Sequence, residues 1–504
     1  MSPRCTFALG VFLLAWLGAN LLTLDRYPVA WMDEVCYADP AINLVQSGHW
    51  VSYCWPAQDA TEFWAGNTPL YPMLLSGWLR LTGISMTSVR SLNLVLMLGV
   101  VSMLHRAVRQ LIQQRSATAH ESHVPLGNSS GSGEESLVRE SGSGFMVVLL
   151  ALFGYSMIFD YRSGRPDCVG MILFSAGFLA VVCCTGIRRH LLVSLCAFLM
   201  PWAGLQCLPV LAVLMGFLLW LNWRAYFFEV LCAGVFSVVG FSALAWLYAA
   251  HHVWPAFMAS VAPHTVAGSL QSVLQGQFSH HNKIPKDFSF IVLFIAALCA
   301  ELVSWKRRGV RVKSPISLGL LISIVSGAAL MAAGKFPTYY GWLTYLPLSV
   351  AVVFELSNRS IARATRRLLN YGCILAVLAG LAPHLCAAVY DWSFRSPSIP
   401  DQLVAKNIRE GDFAYGNPSV YYALRRHDLA PNVGYRIHSF RPEERKRLTV
   451  LFLNPAEVSY VTENLGGTWR KVDEFKPGRS GFLGTPYNLG FLSLYNYQLE
   501  VYRR

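Results

Sequence analysis

The chain has 504 residues, of which 54% are hydrophobic and only 14% are charged, and its mean hydropathy is +0.40. A soluble globular domain usually carries about 25% charged residues, so this composition argues against that class and favours a protein that crosses a membrane several times. The net charge of +13 does not call for a nucleic-acid partner. Basic residues cluster beside apolar segments, where anionic lipid headgroups attract them.

Apolar segments predict about eleven membrane spans. Uncharged runs of about 18 or more residues are the usual sign of a transmembrane helix. Such runs occur at 7–24, 168–187, 230–250, 314–334, 336–354 and 368–390, and shorter runs occur at 91–104, 145–159 and 288–300. A further run, 191–223, contains "MPWAGLQCLP", in which two prolines and a glycine break helices. It therefore predicts a hairpin of two spans.

The basic residues orient these spans. With the N-terminus inside, 17 Lys and Arg residues fall in inner loops and 8 fall in outer segments before residue 390. This asymmetry is expected, because cytoplasmic loops carry the excess of basic residues. The first outer loop is then 25–90. The inner loop 113–144 is rich in Ser, Gly and Glu and lacks aromatic residues, so it is predicted to be disordered.

Two regions outside the spans have recognisable patterns. In the first outer loop, Thr68 and Pro69 are expected to begin an amphipathic helix that turns Leu70, Leu74, Trp78 and Leu81 toward the membrane. After residue 390 charged residues return. The segment "GDFAYGNPSVYYALRRHD" predicts a strand, a turn and a helix, and "RLTVLFLNP" and "YNYQLEVYRR" predict strands. The chain is thus divided into a transmembrane domain, 1–390, and a small outer α/β domain, 391–504.

Charged and phenolic side chains gather where three separate pairs of spans meet the outer side. They are Asp33 and Glu34 after the first span, Asp160, Arg162, Arg165 and Asp167 between the third and fourth, and Lys335, Tyr339 and Tyr340 between the ninth and tenth. Any one cluster could be an interfacial anchor. Their coincidence at one level of the membrane indicates a functional site, because charges near a membrane are costly.

The position of these residues limits the chemistry that they can perform. No nucleotide sugar is available outside an inner membrane, and the sequence has no P-loop and no Gly-rich dinucleotide motif. A sugar linked to a lipid phosphate would reach Lys or Arg at headgroup level, and an acceptor hydroxyl would need a carboxylate base. A transporter or flippase for a lipid-linked sugar is the alternative, and a membrane-anchored scaffold is a third reading.

Four segments resemble a known enzyme family in order and placement. They are "MDEVCYADPAINLVQSGHW", "NTPLYPMLLSGWLRLTGISMTSVRSLNLVL", "YRSGRPDCVGMILFSAGFLAV" and "GKFPTYYGWLTYLPLSVAVVFE". They are similar to motifs of the GT-C glycosyltransferases, and more narrowly of protein O-mannosyltransferases, aminoarabinose transferases of lipid A and RgtA/B/C/D-like enzymes. The resemblance covers residues 1–390. It implies a multi-pass helical enzyme of the bacterial inner membrane whose active site faces the periplasm.

The resemblance also implies the reaction and the residues that perform it. A hexosyl or pentosyl group would pass, with inversion, from a polyprenyl-phosphate donor to a glycan, lipid or protein acceptor. The implied roles are catalysis for Asp33, Glu34 and Asp167, donor-phosphate binding for Lys335, Arg165, Tyr339 and Tyr340, and acceptor or loop support for Tyr37, Asn67 and Tyr71. Which of the two adjacent carboxylates is the base stays open.

Two departures from the family pattern carry expectations of their own. Relatives often have His or Lys where Asn67 and Thr68 stand, so phosphate binding falls more heavily on Lys335 or Arg165. Pro40 interrupts what is usually a continuous helix, and an Asp39–Pro40 pair could restart it.

Neither metal ligands nor a disulfide are assigned from the sequence. Two histidine pairs, 251–252 and 280–281, are adjacent, and adjacent side chains of a strand point apart. No metal site is therefore predicted, although some relatives are helped by a divalent cation and its use here is left open. Cys36 and Cys54 share the first outer loop and could pair if the outside is oxidising.

Overall fold

A computed structural model describes residues 3–55, 58–121, 132–261, 287–308, 314–332, 338–358, 360–427, 432–433, 440–477 and 497–504. Its first part is helical. The helices up to residue 261 are α1 (Pro3–Thr23), α2 (Met32–Ser47), α3 (Leu70–Thr82), α4 (Met86–Glu121), α5 (Ser132–Phe153), α6 (Tyr155–Arg162), α7 (Asp167–Cys183), α8 (Gly186–Ala203), α9 (Cys207–Ala250) and α10 (Trp254–Val261). They are followed by α11 (Phe288–Arg308), α12 (Pro315–Ala332), α13 (Trp342–Leu356) and α14 (Arg363–Tyr390).

Several of these helices are long and apolar enough to cross a membrane. Within the described ranges, five meet both conditions, namely α4, α9, α11, α12 and α14, and the bent pair α5–α6 would make a sixth. Helices α1, α7 and α13 are also apolar but are shorter. A break at Asn222 (φ −159°, ψ 87°) divides α9 into two helices. The chain is therefore a multi-pass membrane protein, and the described parts of the predicted apolar segments are mostly helical.

A break between two helices falls where the hairpin was predicted, at the junction of α8 and α9. Helix α8 ends at Ala203 and α9 begins at Cys207. The second half of α9 then packs back on α8, where the Trp202 indole donates to the Gly240 carbonyl at 2.8 Å. A Cβ on Gly240 would lie 2.1 Å from the Phe198 carbonyl oxygen, so this close crossing of the two helices requires glycine.

The prediction of a disordered inner loop at 113–144 is wrong over most of its length. Helix α4 continues to Glu121, and α5 already begins at Ser132. Both extensions grow from membrane helices, so they need no costly nucleation, and they contain Ala, Glu, Leu and Arg, which are good helix formers. Residues 122–131 lie outside the described part of the chain.

The first outer loop contains two helices, as expected from its sequence. In α3, Leu74 and Leu81 are exposed and Leu75 and Leu79 are buried, so the helix is amphipathic. Leu70 and Trp78, which were also predicted to face the membrane, are instead partly buried against the core. Helix α2 corrects another expectation, because it runs through Pro40 without restarting. A proline removes one backbone hydrogen bond from a helix, and α2 tolerates this loss because its buried face is held by tertiary contacts.

The residues after α14 form an α/β unit. Its strands are β1 (Ala414–Gly416), β2 (Asn432–Val433), β3 (Val450–Leu453), β4 (Arg470–Phe475) and β5 (Leu499–Arg503), and its helices are α15 (Ser398–Asn407), α16 (Tyr421–Arg426), α17 (Pro442–Arg447) and α18 (Val458–Leu465). The sheet order is β2-β1-β3-β5-β4, with β1 parallel to β2 and β3, and β5 antiparallel to β3 and β4. Strands β1, β3 and β5 and helix α16 confirm the pattern predicted from the sequence.

Both faces of this sheet are covered. Val450 and Phe452 belong to one apolar cluster and Leu451 and Leu453 to another. Because successive side chains of a strand point to opposite faces, β3 is buried on both sides. We call this unit the tail domain. Its helix α16 contacts α2, the helix of the first outer loop that carries Asp33.

Candidate active site

The predicted acidic and basic residues meet where the start of α2 faces the turn between α6 and α7. Arg165 donates from Nε to Asp167 Oδ2 at 2.7 Å and from Nη1 to Asp33 Oδ2. The side chains of Arg165 and Asp167 are buried, but that of Asp33 is 36% exposed. Asp33 is therefore the member of this ion cluster that a ligand can reach.

Aromatic rings surround the same guanidinium. The Arg165 guanidinium carbon lies 3.7 Å from the ring centroid of Tyr339, 5.3 Å from that of Trp31 and 5.9 Å from that of Tyr340. Rings at these distances stabilise a cation through their quadrupoles. Burial alone would lower the pKa of Arg165, but the carboxylates of Asp167 and Asp33 outweigh it and hold that pKa well above its usual value. The site thus contains a permanent, rigidly held positive charge.

The turn that presents Arg165 is fixed from α4. The side-chain amide of Asn93 donates to the carbonyl oxygens of Ser163, Arg165 and Asp160 at 2.6, 2.9 and 3.3 Å. A Cβ on Gly164 would lie 2.9 Å from Glu34 Cγ, so the turn also needs glycine to pack this closely on α2. The sequence prediction assigned no role to Asn93. A polar side chain at the start of an apolar run was the available signal.

The structure separates the two adjacent carboxylates. Arg90 donates to both oxygens of Glu34, at 2.9 and 2.7 Å, and neither side chain is exposed. Arg90 also donates to the carbonyls of Leu24 and Pro28. Successive residues of a helix point about 100° apart, so Glu34 faces the interior while Asp33 faces the cleft. This geometry argues against the catalytic role implied for Glu34, which holds α2 to α4. The sequence analysis also assigned no role to Arg90.

The three residues expected to support the acceptor loop lie together beside Asp33. Tyr37 follows Asp33 by one helical turn, and its hydroxyl accepts a hydrogen bond from the Asn67 amide at 2.7 Å. The rings of Tyr37 and Tyr71 are 6.4 Å apart and nearly perpendicular. Burial raises the pKa of Tyr37 well above its usual value, so the hydroxyl stays protonated. Tyr248, from the end of α9, donates to the Asn67 carbonyl at 2.5 Å and completes this support.

Some candidate residues cannot be placed or do not converge. Lys335, the other predicted phosphate ligand, lies outside the described residues, as do His280 and His281. The ring of His251 stacks on Phe63 with centroids 3.7 Å apart. No group of three or more His, Cys, Asp or Glu side chains converges as a metal site in the described part of the chain.

The two outer-loop cysteines are neighbours but are not bonded. Cys36 and Cys54 are both buried and neither is in a disulfide, and the Cys36 Sγ lies 3.5 Å from the Cys54 carbonyl oxygen. The thiol is thus used here as a weak hydrogen-bond donor.

An apolar cavity of about 350 Å³ lies among α4, α7, α9, α12 and α13. Its wall includes Leu104, Phe174, Leu221 and Phe354. Trp342 also lines the cavity, and its indole Nε1 lies 3.3 Å from Asp167 Oδ1. A single side chain therefore separates the charged cluster from an apolar space among the membrane helices.

The chain is similar in overall architecture to solved membrane proteins. ArnT from Cupriavidus metallidurans bound to undecaprenyl phosphate is 11% identical, with 98% of each chain covered and a TM-score of 0.43. The apo form of that protein is 12% identical, with 90% of this chain and 94% of that chain covered and a TM-score of 0.40. The Archaeoglobus fulgidus oligosaccharyltransferase in complex with zinc and sulfate is 10% identical, with 89% and 69% covered and a TM-score of 0.43.

No known protein-family profile and no curated protein matches the sequence itself. At such identities and TM-scores the similar structures do not assign a function, and the residues of the chain itself have to support one.

Proposed function

We propose that the protein is an inverting glycosyltransferase that moves a sugar from a polyprenyl-phosphate donor to an acceptor hydroxyl at the outer face of the membrane. The observation that carries this proposal is the contact between Asp33 and Arg165. It joins a carboxylate that a ligand can reach to a buried guanidinium, beside an apolar cavity. The GT-C resemblance of the four sequence motifs supports the same donor class. We place the site outside because basic residues are concentrated in the opposite loops.

In the proposed reaction Asp33 is the general base. Its carboxylate takes the proton of the acceptor hydroxyl while the hydroxyl oxygen attacks the anomeric carbon of the donor. The bond between that carbon and the phosphate oxygen breaks, and its electron pair leaves with polyprenyl phosphate. Attack from the face opposite the leaving group inverts the anomeric configuration.

Arg165 is the proposed electrostatic element of the site. Negative charge grows on the phosphate as it leaves, and a positive charge that is already in place stabilises that state without reorganisation. Asp167 and the ring of Tyr339 hold the guanidinium, and the hydroxyls of Tyr339 and Tyr340 would assist. Two carboxylates against one guanidinium leave this cluster one negative charge in excess. A phosphate ligand therefore needs a further cation, either Lys335 or a bound divalent ion.

The apolar cavity supplies a place for the lipid part of the donor. Its walls are apolar side chains of the membrane helices, and pockets of a few hundred Å³ commonly hold drug-sized ligands, so this one could take part of a lipid chain. Because Trp342 joins the cavity to Asp167, a chain lying there would bring its phosphate toward Arg165.

The test is turnover with undecaprenyl phosphates that carry labelled hexoses or pentoses. We expect Asp33→Asn to lower sugar release by about 10²–10⁴-fold, the range for loss of a general base, with donor binding retained. Glu62→Gln is the matched control, because Glu62 is an exposed carboxylate of the same loop. Turnover that is unchanged in Asp33→Asn would overturn the assignment. Donor binding without any turnover by the unmodified protein would favour the transporter or flippase.

A further inference from the structure

The tail domain contacts the helix that carries Asp33 through a buried ion pair. Arg425 of α16 donates from Nη2 to Asp39 Oδ1 and, at 2.6 Å, to Asn43 Oδ1. The Tyr421 hydroxyl donates to the same Asp39 oxygen at 2.7 Å. Asp39 is fully buried, and Arg425 is the cation with which it pairs among the described residues. Ser52 and the Tyr53 backbone amide donate to the other Asp39 oxygen, so the tail domain supplies the counter-charge of this carboxylate.

A second contact from α16 reaches the other side of α2. The Tyr422 hydroxyl donates to Glu34 Oε1 at 3.1 Å, and Arg90 holds the same carboxylate. Burial raises the pKa of Tyr422 well above its usual value, so this hydroxyl remains a donor. Adjacent residues of one short helix therefore bind α2 at two separated points.

These two points flank Asp33 around the axis of α2. At about 100° per residue, Glu34 lies about 100° from Asp33 in one direction, and Asp39 lies about 120° from it in the other. A rotation of α2 in either direction would stretch one of the two contacts. Side-chain ends lie about 6 Å from a helix axis, so a rotation of only 20° would move the Asp33 carboxylate by about 2 Å. A displacement of about 1 Å can already reduce a rate about 100-fold.

We propose that Tyr421, Tyr422 and Arg425 are positioning residues, and that the tail domain fixes the rotation of α2 and hence the place of the Asp33 carboxylate. This inference rests on the function proposed above for Asp33. It makes residues 391–504 part of the catalytic unit, in addition to any contact that they make with an acceptor. None of the three side chains needs to touch the donor or the acceptor for this role.

Two neighbouring arginines of α16 provide the test. Arg425→Ala removes the pairing with Asp39. Arg426→Ala is the matched control, because Arg426 is 53% exposed and pairs with Asp401 inside the tail domain. In the full-length protein in lipid nanodiscs, we expect Arg425→Ala to speed hydrogen exchange of the amides of α2 and to lower kcat by about 10–100-fold. Donor KM should stay within about threefold, and Arg425→Lys should recover part of kcat. Arg426→Ala should change neither exchange nor kcat.

The possible results are distinguishable. The inference would be overturned if the α2 amides exchanged hydrogen equally fast in Arg425→Ala and in the unmodified protein. It would also be overturned if hydrogen exchange became faster in Arg425→Ala while kcat stayed unchanged. If the unmodified protein releases sugar from none of the labelled undecaprenyl phosphates, the proposed function fails, and the exchange comparison still decides whether the tail domain holds α2. Should Arg425→Ala fail to fold, Tyr422→Phe removes one hydroxyl. Tyr422→Phe is expected to unfold at the same temperature as the unmodified protein and to have a lower kcat. An unchanged kcat in Tyr422→Phe would contradict the inference.

Discussion

Replacement of Asn93 tests whether the turn that carries Arg165 is held by a hydrogen-bond donor. The side-chain amide reaches three carbonyl oxygens, the nearest at 2.6 and 2.9 Å. Its two N–H groups can satisfy two of these acceptors, and a buried acceptor that loses its partner costs about 1–3 kcal/mol. The Ser163 carbonyl still accepts from the Arg165 amide at 2.8 Å, so Asn93→Ala should lower the free energy of unfolding by about 1–3 kcal/mol. Turnover should fall as well, because Arg165 loses its fixed position.

The relative stability of two variants, Asn93→Asp and Asn93→Ala, gives a more specific test. Asn93→Asp keeps the shape of the side chain but places an acceptor against three acceptors, so it should be less stable than Asn93→Ala. The measurement is thermal unfolding of the purified protein in detergent, followed by tryptophan fluorescence. Ser102→Ala is the control, because Ser102 is exposed on the same helix and bonds only to Leu98 of its own turn. An Asn93→Asp variant as stable as the unmodified protein would refute the reasoning, because the amide nitrogen would then be dispensable.

Two further predictions concern carboxylates. Glu34→Gln should lower the free energy of unfolding by about 3–5 kcal/mol, because it leaves the buried Arg90 without its carboxylate partner. The measurement is thermal unfolding. A loss of stability as small as that caused by Asp33→Asn would contradict this prediction. In the tail domain, burial of Asp412 opposes ionisation, but hydrogen bonds, above all from Arg503, lower its pKa. Its stabilising contribution is complete above the unfolded carboxyl pKa of about 4 and is lost as the pH falls through the lowered value. Asp412→Asn should therefore flatten the acid limb of the stability–pH curve, and an unaltered acid limb would show that the ion pair does not contribute.

The spans and the location of the site were predictable because both depend on local composition. An apolar run of sufficient length forms a helix in a membrane wherever it occurs, and charges at its ends are visible in the sequence. The meeting of Asp33, Arg165, Asp167 and Tyr339 was anticipated on that basis, and the described contacts bring these residues together.

The division of roles between Asp33 and Glu34 was not predictable from the sequence. Their adjacency says nothing about how α2 is rotated, and that rotation depends on Arg90, 56 residues away, and on Tyr422, 388 residues away. The same limit applies to Pro40. A proline in a helix is locally unfavourable, and only the contacts around α2 show that the helix continues through it.

The pairing of Asp39 with Arg425 has a consequence for biosynthesis. The two residues are 386 positions apart. Arg425, the counter-charge of Asp39, is therefore translated long after α2. In that interval the Asp39 carboxylate lacks its bonds to the Arg425 guanidinium and the Tyr421 hydroxyl. If the tail domain aligns Asp33 as proposed above, the nascent protein acquires that alignment only after the tail domain has folded onto α2. Under the proposed function, sugar transfer would then be confined to completely synthesised molecules.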